Sequence, residues 1–150
     1  MKKAIIIVIS VLGVVSVALF AVNYLYPYYV HLSATRYAEK LEEERVEKGS
    51  ITLCSKITRD ENVNSNYISF YIVDNASKAV CFECSEGWRI RDFKYLGFEK
   101  GTDNVLAISA DTGTYRYVKD GNSWREETVS EGQDPVPDSK YFVVNNLSTE

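Results

Sequence analysis

Histidine is almost absent from this chain of 150 residues, in which His31 is the single example. Its nearest carboxylate is Glu39, eight residues further on, and no other histidine can act as general base to a serine or cysteine. Glycine-rich phosphate-binding loops, the G-x-S-x-G motif of serine hydrolases and the EF-hand loop are missing too. We therefore predict no catalytic residue, no cofactor-binding residue and no metal ligand, in a protein that is not an enzyme.

Positive charge is scarce in the second part of the chain. From Gly49 onward there are 11 Lys and Arg against 16 Asp and Glu, a net charge of −5 (11 minus 16), and no basic cluster. Binding to nucleic acid needs clustered cations that replace the counterions of the phosphates, so we predict no nucleic-acid partner. A mildly acidic surface suits a cationic protein partner, although it also serves solubility.

Residues 4–22 are nineteen consecutive residues without a charge. As a helix they would rise about 28 Å, close to the roughly 30 Å of the bilayer interior. Four tyrosines follow within six positions, as is typical of the membrane–water interface: Tyr24, Tyr26, Tyr28 and Tyr29. The sequence predicts a membrane anchor over residues 1–30, with the lipid bilayer as its partner. A cleaved signal peptide is the alternative, since Ser16-Val17-Ala18 resembles a cleavage site.

The flanking charges predict an orientation for this anchor. Lys2 and Lys3 precede the apolar segment, whereas the first cations after it are Arg36 and Lys40. The positive-inside rule then places the N-terminus in the cytoplasm. We expect a single-pass protein of the cytoplasmic (inner) membrane with its C-terminal domain outside the cytoplasm, which is the periplasm if the source is bacterial.

Residues 31–49 are predicted to form a helical stalk. They are rich in Ala, Leu, Glu, Lys and Arg, contain no proline, and end at Gly49, a residue type common just after helices. Pro27 is expected to kink or interrupt the helix where it leaves the lipid.

Residues 50–150 are predicted to form a mainly β domain. Short alternating runs cover residues 51–58, 67–73, 79–84, 105–110, 114–119 and 123–129, with turn residues between them. Residues 88–100 fit neither period cleanly but favour strands, and 141–144 predict an edge or closing strand. Because the gaps are too short for βαβ crossovers, we expect an antiparallel meander of six to eight strands, a small barrel or sandwich.

The three cysteines are Cys54, Cys81 and Cys84. Outside the cytoplasm one disulfide is expected, and the C-x-x-C spacing of Cys81 and Cys84 alone is weak evidence for zinc. Strand alternation turns Cys54 and Cys81 outward and Cys84 towards the core. A Cys54–Cys81 disulfide is therefore the prediction, with Cys54–Cys84 as the alternative.

A group of aromatic residues and one arginine is the candidate partner-binding surface. Tyr115 and Tyr117 share one strand face, Arg116 takes the other, and Trp124 lies in the next strand. Aromatic residues with Arg are frequent anchors of protein interfaces, whereas cross-strand packing in the core explains the same pattern.

Together these features predict a membrane-anchored, non-enzymatic binding protein with a β domain outside the cytoplasm. One form of it is an inhibitor or immunity-type protein that neutralises an enzyme or toxin at the membrane. The alternative is an accessory or assembly subunit of a membrane protein complex, in which residues 4–22 contact other helices.

Overall fold

A computed structural model describes residues 2–42, 44–121, 123–129, 132 and 134–147, with the backbone alone for residues 2–9. The chain divides into two compact units, Met1–Arg36 and Tyr37–Glu150. The first is helical and the second contains both β-sheets. The mainly β architecture with an N-terminal helix is confirmed.

The N-terminal unit is built from helix α1, Lys2–Phe20, a π-helical turn, Ala21–Leu25, and the start of helix α2, Tyr26–Leu41. Within the part of the chain that the structure describes, one helical stretch, Ser10–Leu41, is long and apolar enough to cross a membrane. A signal sequence near the N-terminus meets the same criteria.

The expected effect of Pro27 takes the form of the π-helical turn just before it. Proline has no N–H to donate and its ring collides with the carbonyl four residues earlier, so the helix is locally rewound rather than ended. Asn23 lies in this π-helical turn, and its Nδ2 donates to the Leu19 carbonyl at 2.8 Å. The helix then continues to Leu41.

The β unit contains two five-stranded antiparallel sheets. In the first, the order is β1-β2-β3-β4, and β5 also pairs with β3; in the second, it is β10-β6-β7-β8-β9. The described strands are β1 Arg45–Lys48, β2 Ile51–Asp60, β3 Ser65–Asp74, β4 Val80–Glu83, β5 Trp88–Arg89, β6 Phe93–Glu99, β7 Val105–Ser109, β8 Gly113–Asp120, β9 Ser123–Thr128 and β10 Pro137–Asn145. A short 3-10 helix, Ile90–Asp92, separates β5 from β6, which explains the mixed periodicity of residues 88–100.

The predicted helical stalk over residues 31–49 is wrong in its second half. Helix α2 ends at Leu41, and Arg45–Lys48 form strand β1, which pairs with residues 51–54 of β2. Gly49, with φ of 60°, starts the two-residue turn between these strands instead of ending a helix. Pairing with β2 and the packing of Val46 against the core outweigh the helix propensity of Glu, Arg and Lys.

The core is rich in aromatic rings contributed by both sheets. Phe70 of β3 contacts Tyr117 of β8 edge to face, with ring centroids 4.9 Å apart, and stacks on Trp88 at 6.4 Å. The ring centroids of Phe82 in β4 and Trp124 in β9 are 6.2 Å apart. Ala38 and Leu41, in the last turn of α2, are buried in the same cluster, so the β unit includes this helical turn.

Candidate functional site

The predicted aromatic partner-binding group is largely part of the core. Tyr117 is 1% exposed, while Tyr115 and Trp124 are half-buried and pack against the core cluster. Cross-strand and inter-sheet packing therefore accounts for these three aromatic residues. Tyr117 is therefore inaccessible to a partner, whereas partner binding by the half-buried Tyr115 and Trp124 stays a prediction.

Arg116 lies on the opposite face of β8, as the strand alternation predicts, and forms an ion pair there. Its Nη2 donates to Glu99 Oε1 at 2.7 Å, and the two side chains are 21% and 12% exposed. Asn104 Nδ2 donates to the other oxygen, Glu99 Oε2, at 2.7 Å. Burial acts to raise the pKa of Glu99, but the hydrogen bonds from Asn104 and Arg116 outweigh it and leave the pKa below its usual range.

The Glu99–Arg116 pair lies beside an exposed charged surface. Residues 99–104 make the turn between β6 and β7, and residues 134–138 lie against it through the hydrogen bond from Lys100 N to Val136 O, 2.8 Å. We call these two segments the turn surface. An open concavity of about 490 Å³ lies here, lined among others by Glu99, Lys100, Arg116, Asp134, Pro135 and Val136. Val136 is 57% exposed, which places an apolar side chain among the charges.

A second concavity on the turn surface surrounds Lys48. It measures about 380 Å³ and also involves Thr102, Asp103 and Asp138. Lys48 Nζ donates to the carbonyls of Glu99 and Thr102 and lies 3.4 Å from Asp138 Oδ2. The side chain of Lys48, 16% exposed, thus ties both segments of the turn surface to β1.

Tyr95 fixes the other side of the turn surface. Its hydroxyl lies 2.9 Å from the Phe98 carbonyl and 3.0 Å from the Asp138 carbonyl and can donate its single proton to either, and it accepts the N–H of Asp138 at 3.1 Å. The ring leaves no room for a side chain at Gly97, where a Cβ would lie 2.5 Å from the Tyr95 hydroxyl. Burial raises the pKa of Tyr95, so the hydroxyl keeps its proton and its hydrogen bonds at physiological pH.

The first sheet carries a separate open concavity of about 390 Å³. Lys56, Tyr71, Val80 and Glu83 belong to its lining. Lys56 and Glu83 form an ion pair across it at 2.5 Å, with side chains 48% and 54% exposed. Solvent screens such a pair, so it contributes little to folding.

The predicted Cys54–Cys81 disulfide is wrong, because all three cysteines are free. Strand β3 lies between β2 and β4: Cys54 is opposite Tyr71, which is opposite Glu83. Cys81 lies in β4 two residues before Glu83, so the Cα atoms of Cys54 and Cys81 are at least two strand spacings, about 10 Å, apart. A disulfide spans no more than roughly 7 Å. The alternative, Cys54–Cys84, fails for the same reason.

Cys54 faces away from the core yet is 3% exposed, between Arg45 and Tyr71 in neighbouring strands.

Cys84 is buried, as predicted, and its Sγ lies 3.5 Å from the Tyr117 hydroxyl. Burial raises the pKa of the Cys84 thiol, so it is protonated and poorly nucleophilic at neutral pH. Among the described residues no group of three or more His, Cys, Asp or Glu side chains could hold a metal ion.

Two further motifs in the sequence are used for internal hydrogen bonds. Asn75 begins an Asn-Ala-Ser glycosylation triplet, but its Nδ2 donates to Glu47 Oε1 at 3.0 Å, and its Oδ1 accepts from Thr52 at 2.6 Å. Asn146 begins the other triplet, and its Nδ2 donates to the Tyr37 hydroxyl at 2.7 Å. In this fold both amides are structural.

The turn surface is the candidate site that the sequence reading misses, although Arg116, which lies beside it, is one of the predicted site residues. Glu99 and Arg116 are seventeen residues apart in the sequence, but two consecutive hairpins bring them together. Gly97, two residues before Glu99, is opposite Leu106, and Leu106 is opposite Arg116. The turn residues of the two hairpins are the signal that could have found this pair.

Comparison with protein-family models, with curated proteins and with solved structures found no match to this chain. Function is therefore inferred from its own residues and geometry.

Proposed function

We propose that the chain is a membrane-anchored, non-enzymatic binding protein whose β unit binds a protein partner through the turn surface. The observation that carries the proposal is the exposed Val136, held among charged side chains on a backbone fixed by Lys48 and Tyr95. An apolar contact with a polar rim on a rigid support is the arrangement found in protein interfaces.

The open shape of the site favours a macromolecular partner. The concavities of the turn surface are broad and lined with charges, whereas small-molecule sites are mostly apolar and enclose their ligands. Aromatic contacts between the two sheets support the sandwich form of the predicted fold, in which the core is filled and the outer faces and turns are left for binding.

The N-terminal helix is proposed to anchor this binding unit in the cytoplasmic membrane, with the β unit outside the cytoplasm. Its length and composition and the position of Lys2 and Lys3 support this orientation. An inhibitor or immunity-type role follows if the partner is a cationic enzyme or toxin, because the chain from Gly49 onward has a net charge of −5.

Photo-crosslinking of the full-length chain in its native membrane tests the proposal. A photoreactive amino acid at position 136 is expected to give one discrete adduct with another protein, and Asp134→Lys in the same chain should reduce it at least fivefold, because a cation there repels a cationic partner. Position 80 is the matched control, because Val80 is also 57% exposed but lies in the first sheet. Equal labelling at both positions, or no adduct at 136, contradicts a partner at the turn surface.

The accessory or assembly subunit is the second proposal. Gly13 supports it, because apart from the neighbouring backbone of its own helix no described atom lies within 4 Å of where its Cβ would be, which leaves room for a neighbouring helix. In that case the apolar segment itself would carry the contact, and replacing residues 4–22 with an unrelated anchor would abolish partner binding.

A further inference from the structure

One edge of the first sheet has an unpaired stretch of backbone. Strand β1 pairs with residues 51–54 of β2, and the Ser55 N–H donates to the Glu44 carbonyl at 2.9 Å. Strand β2 continues to Asp60. On the side away from β3, no backbone group in the described ranges bonds to residues 56–60.

The groups that point outward follow from the alternation of the strand. Because the Ser55 N–H points away from β3, the N–H and C=O groups of Ile57 and Arg59 point the same way. Those of Lys56, Thr58 and Asp60 point towards β3. The edge therefore offers two donors and two acceptors, on residues 57 and 59.

We propose that this edge pairs with the same edge of a second copy of the chain, antiparallel about Thr58. In this register Ile57 of each copy faces Arg59 of the other, and both have their backbone groups on the shared side, so four backbone hydrogen bonds form. Thr58 faces the second copy's Thr58 as a non-hydrogen-bonded pair.

The charges of the edge are self-complementary in this register. Lys56 of each copy lies directly opposite Asp60 of the other, and there Asp60 would share or replace Glu83, the partner of Lys56 within its own chain. No two like charges from residues 56–60 face each other. Charged side chains on an edge usually prevent strand addition. Here the twofold arrangement turns the same charges into two attractive pairs, which favours a second copy over an arbitrary extended peptide.

The side chains concerned are accessible for such pairing. Lys56, Thr58 and Arg59 are exposed, and Ile57 and Asp60 are half-buried. Four hydrogen bonds and two ion pairs make a small interface, so the dimer is weak in dilute solution. Confinement of both copies to one membrane raises their effective concentration, a point that depends on the proposed anchor.

Disulfide trapping tests the register in the full-length chain in detergent micelles and in native membranes. The non-hydrogen-bonded Thr58 pair would place two Cα atoms about 4.5 Å apart, within disulfide range. Thr58→Cys in a Cys81→Ser background should form at least tenfold more disulfide-linked homodimer under mild oxidation than Thr128→Cys, an exposed threonine at the end of β9. Equal trapping of the two, or a Thr58→Cys adduct with a different protein, overturns the proposal.

Charge exchange tests the complementarity independently. In the Thr58→Cys, Cys81→Ser chain, Lys56→Asp or Asp60→Lys alone should lower the yield of homodimer at least fivefold, because each places like charges opposite one another. The double variant Lys56→Asp/Asp60→Lys should restore the yield to within twofold. Circular dichroism confirms that each chain keeps its β-sheets. A folded double variant whose homodimer yield stays as low as that of the single variants overturns the proposed register.

Discussion

The two sheets of the β unit share one core but differ in how their outer faces are finished. In the second sheet the outer ion pair, Glu99–Arg116, is 12% and 21% exposed, and the Tyr95 beside it is completely buried. In the first sheet the outer ion pair, Lys56–Glu83, is about half exposed. The Glu99–Arg116 pair is less exposed because residues 134–136 lie beside it and Asn104 donates to the same carboxylate.

This contrast separates residues that hold the fold from residues that are free to bind. A buried polar pair constrains the chain around it, and its loss costs stability. An exposed pair costs little to remove, so its charges can serve recognition. Substitutions that compare matched positions in the two sheets test this division.

The largest effect is expected in the shared core. Phe70→Ala removes a completely buried ring that contacts Phe82, Trp88 and Tyr117, and should lower the free energy of unfolding by about 3–5 kcal/mol. Phe142→Ala, at a position 38% exposed, is the control and should cost less than about 1 kcal/mol. Urea unfolding of the full-length chain in detergent measures both. Equal losses would mean that the aromatic core does not join the two sheets.

The next effect tests how Tyr95 and Gly97 hold strand β10 against β6. Gly97→Ala places a Cβ 2.5 Å from the Tyr95 hydroxyl and 2.7 Å from the Tyr141 carbonyl, and should cost about 1–3 kcal/mol. Gly87→Ala, next to the first sheet, has its nearest contact at 3.3 Å and should cost less than about 1 kcal/mol. The same unfolding experiment compares them. A neutral Gly97→Ala would show that Tyr95 does not hold residues 137 and 138 in place.

The two outer ion pairs should differ in how much they contribute to the free energy of unfolding and in how that contribution depends on pH. Glu99→Gln is expected to cost about 1–2 kcal/mol at neutral pH, because Arg116 loses its charged partner. The pKa of Glu99 is lowered in the fold, so its contribution is present above its unfolded pKa, about 4.3, and disappears as the pH falls through the lower folded value. The difference between the unfolding free energies of the two chains should therefore shrink as the pH falls below about 4.3. Curves that stay parallel at all pH values would contradict this.

The smallest effect is expected for the exposed pair. Lys56→Met should change the free energy of unfolding by less than about 0.5 kcal/mol, because both side chains of the Lys56–Glu83 pair are about half exposed. Thermal unfolding monitored by tryptophan fluorescence suffices to measure it. A loss as large as that of Glu99→Gln would remove the distinction between the two outer faces.

Much of the fold can be predicted from alternation and turns. Residues 51–58 and 67–73 alternate clearly and form the central pair, β2 and β3. Strand β1 cannot be found this way, because Arg45 and Glu47 favour helix and their pairing with β2 is a tertiary effect. Strand β10 begins at Pro137, earlier than the predicted residue 141, since a proline is tolerated at the first position of an edge strand.

The site is harder to predict than the fold. Strand alternation places Tyr117 and Arg116 on opposite faces, but it does not say which face is covered by the other sheet. The aromatic face of β8 is covered by Phe70 and Phe82, and the arginine face carries the accessible surface. The cysteine pairing fails for a similar reason, because strand parity contains no information on the strand lying between Cys54 and Cys81.

The most direct test joins the two units in one measurement. The photoreactive residue at position 136 is placed in the native chain and in a chain whose residues 4–22 are replaced by an unrelated apolar helix of equal length. A binding unit on a tether predicts the same partner adduct in both chains, with yields within twofold. Loss of the adduct in the chain with the exchanged helix, while that chain is still inserted and folded, would contradict it and assign recognition to the helix.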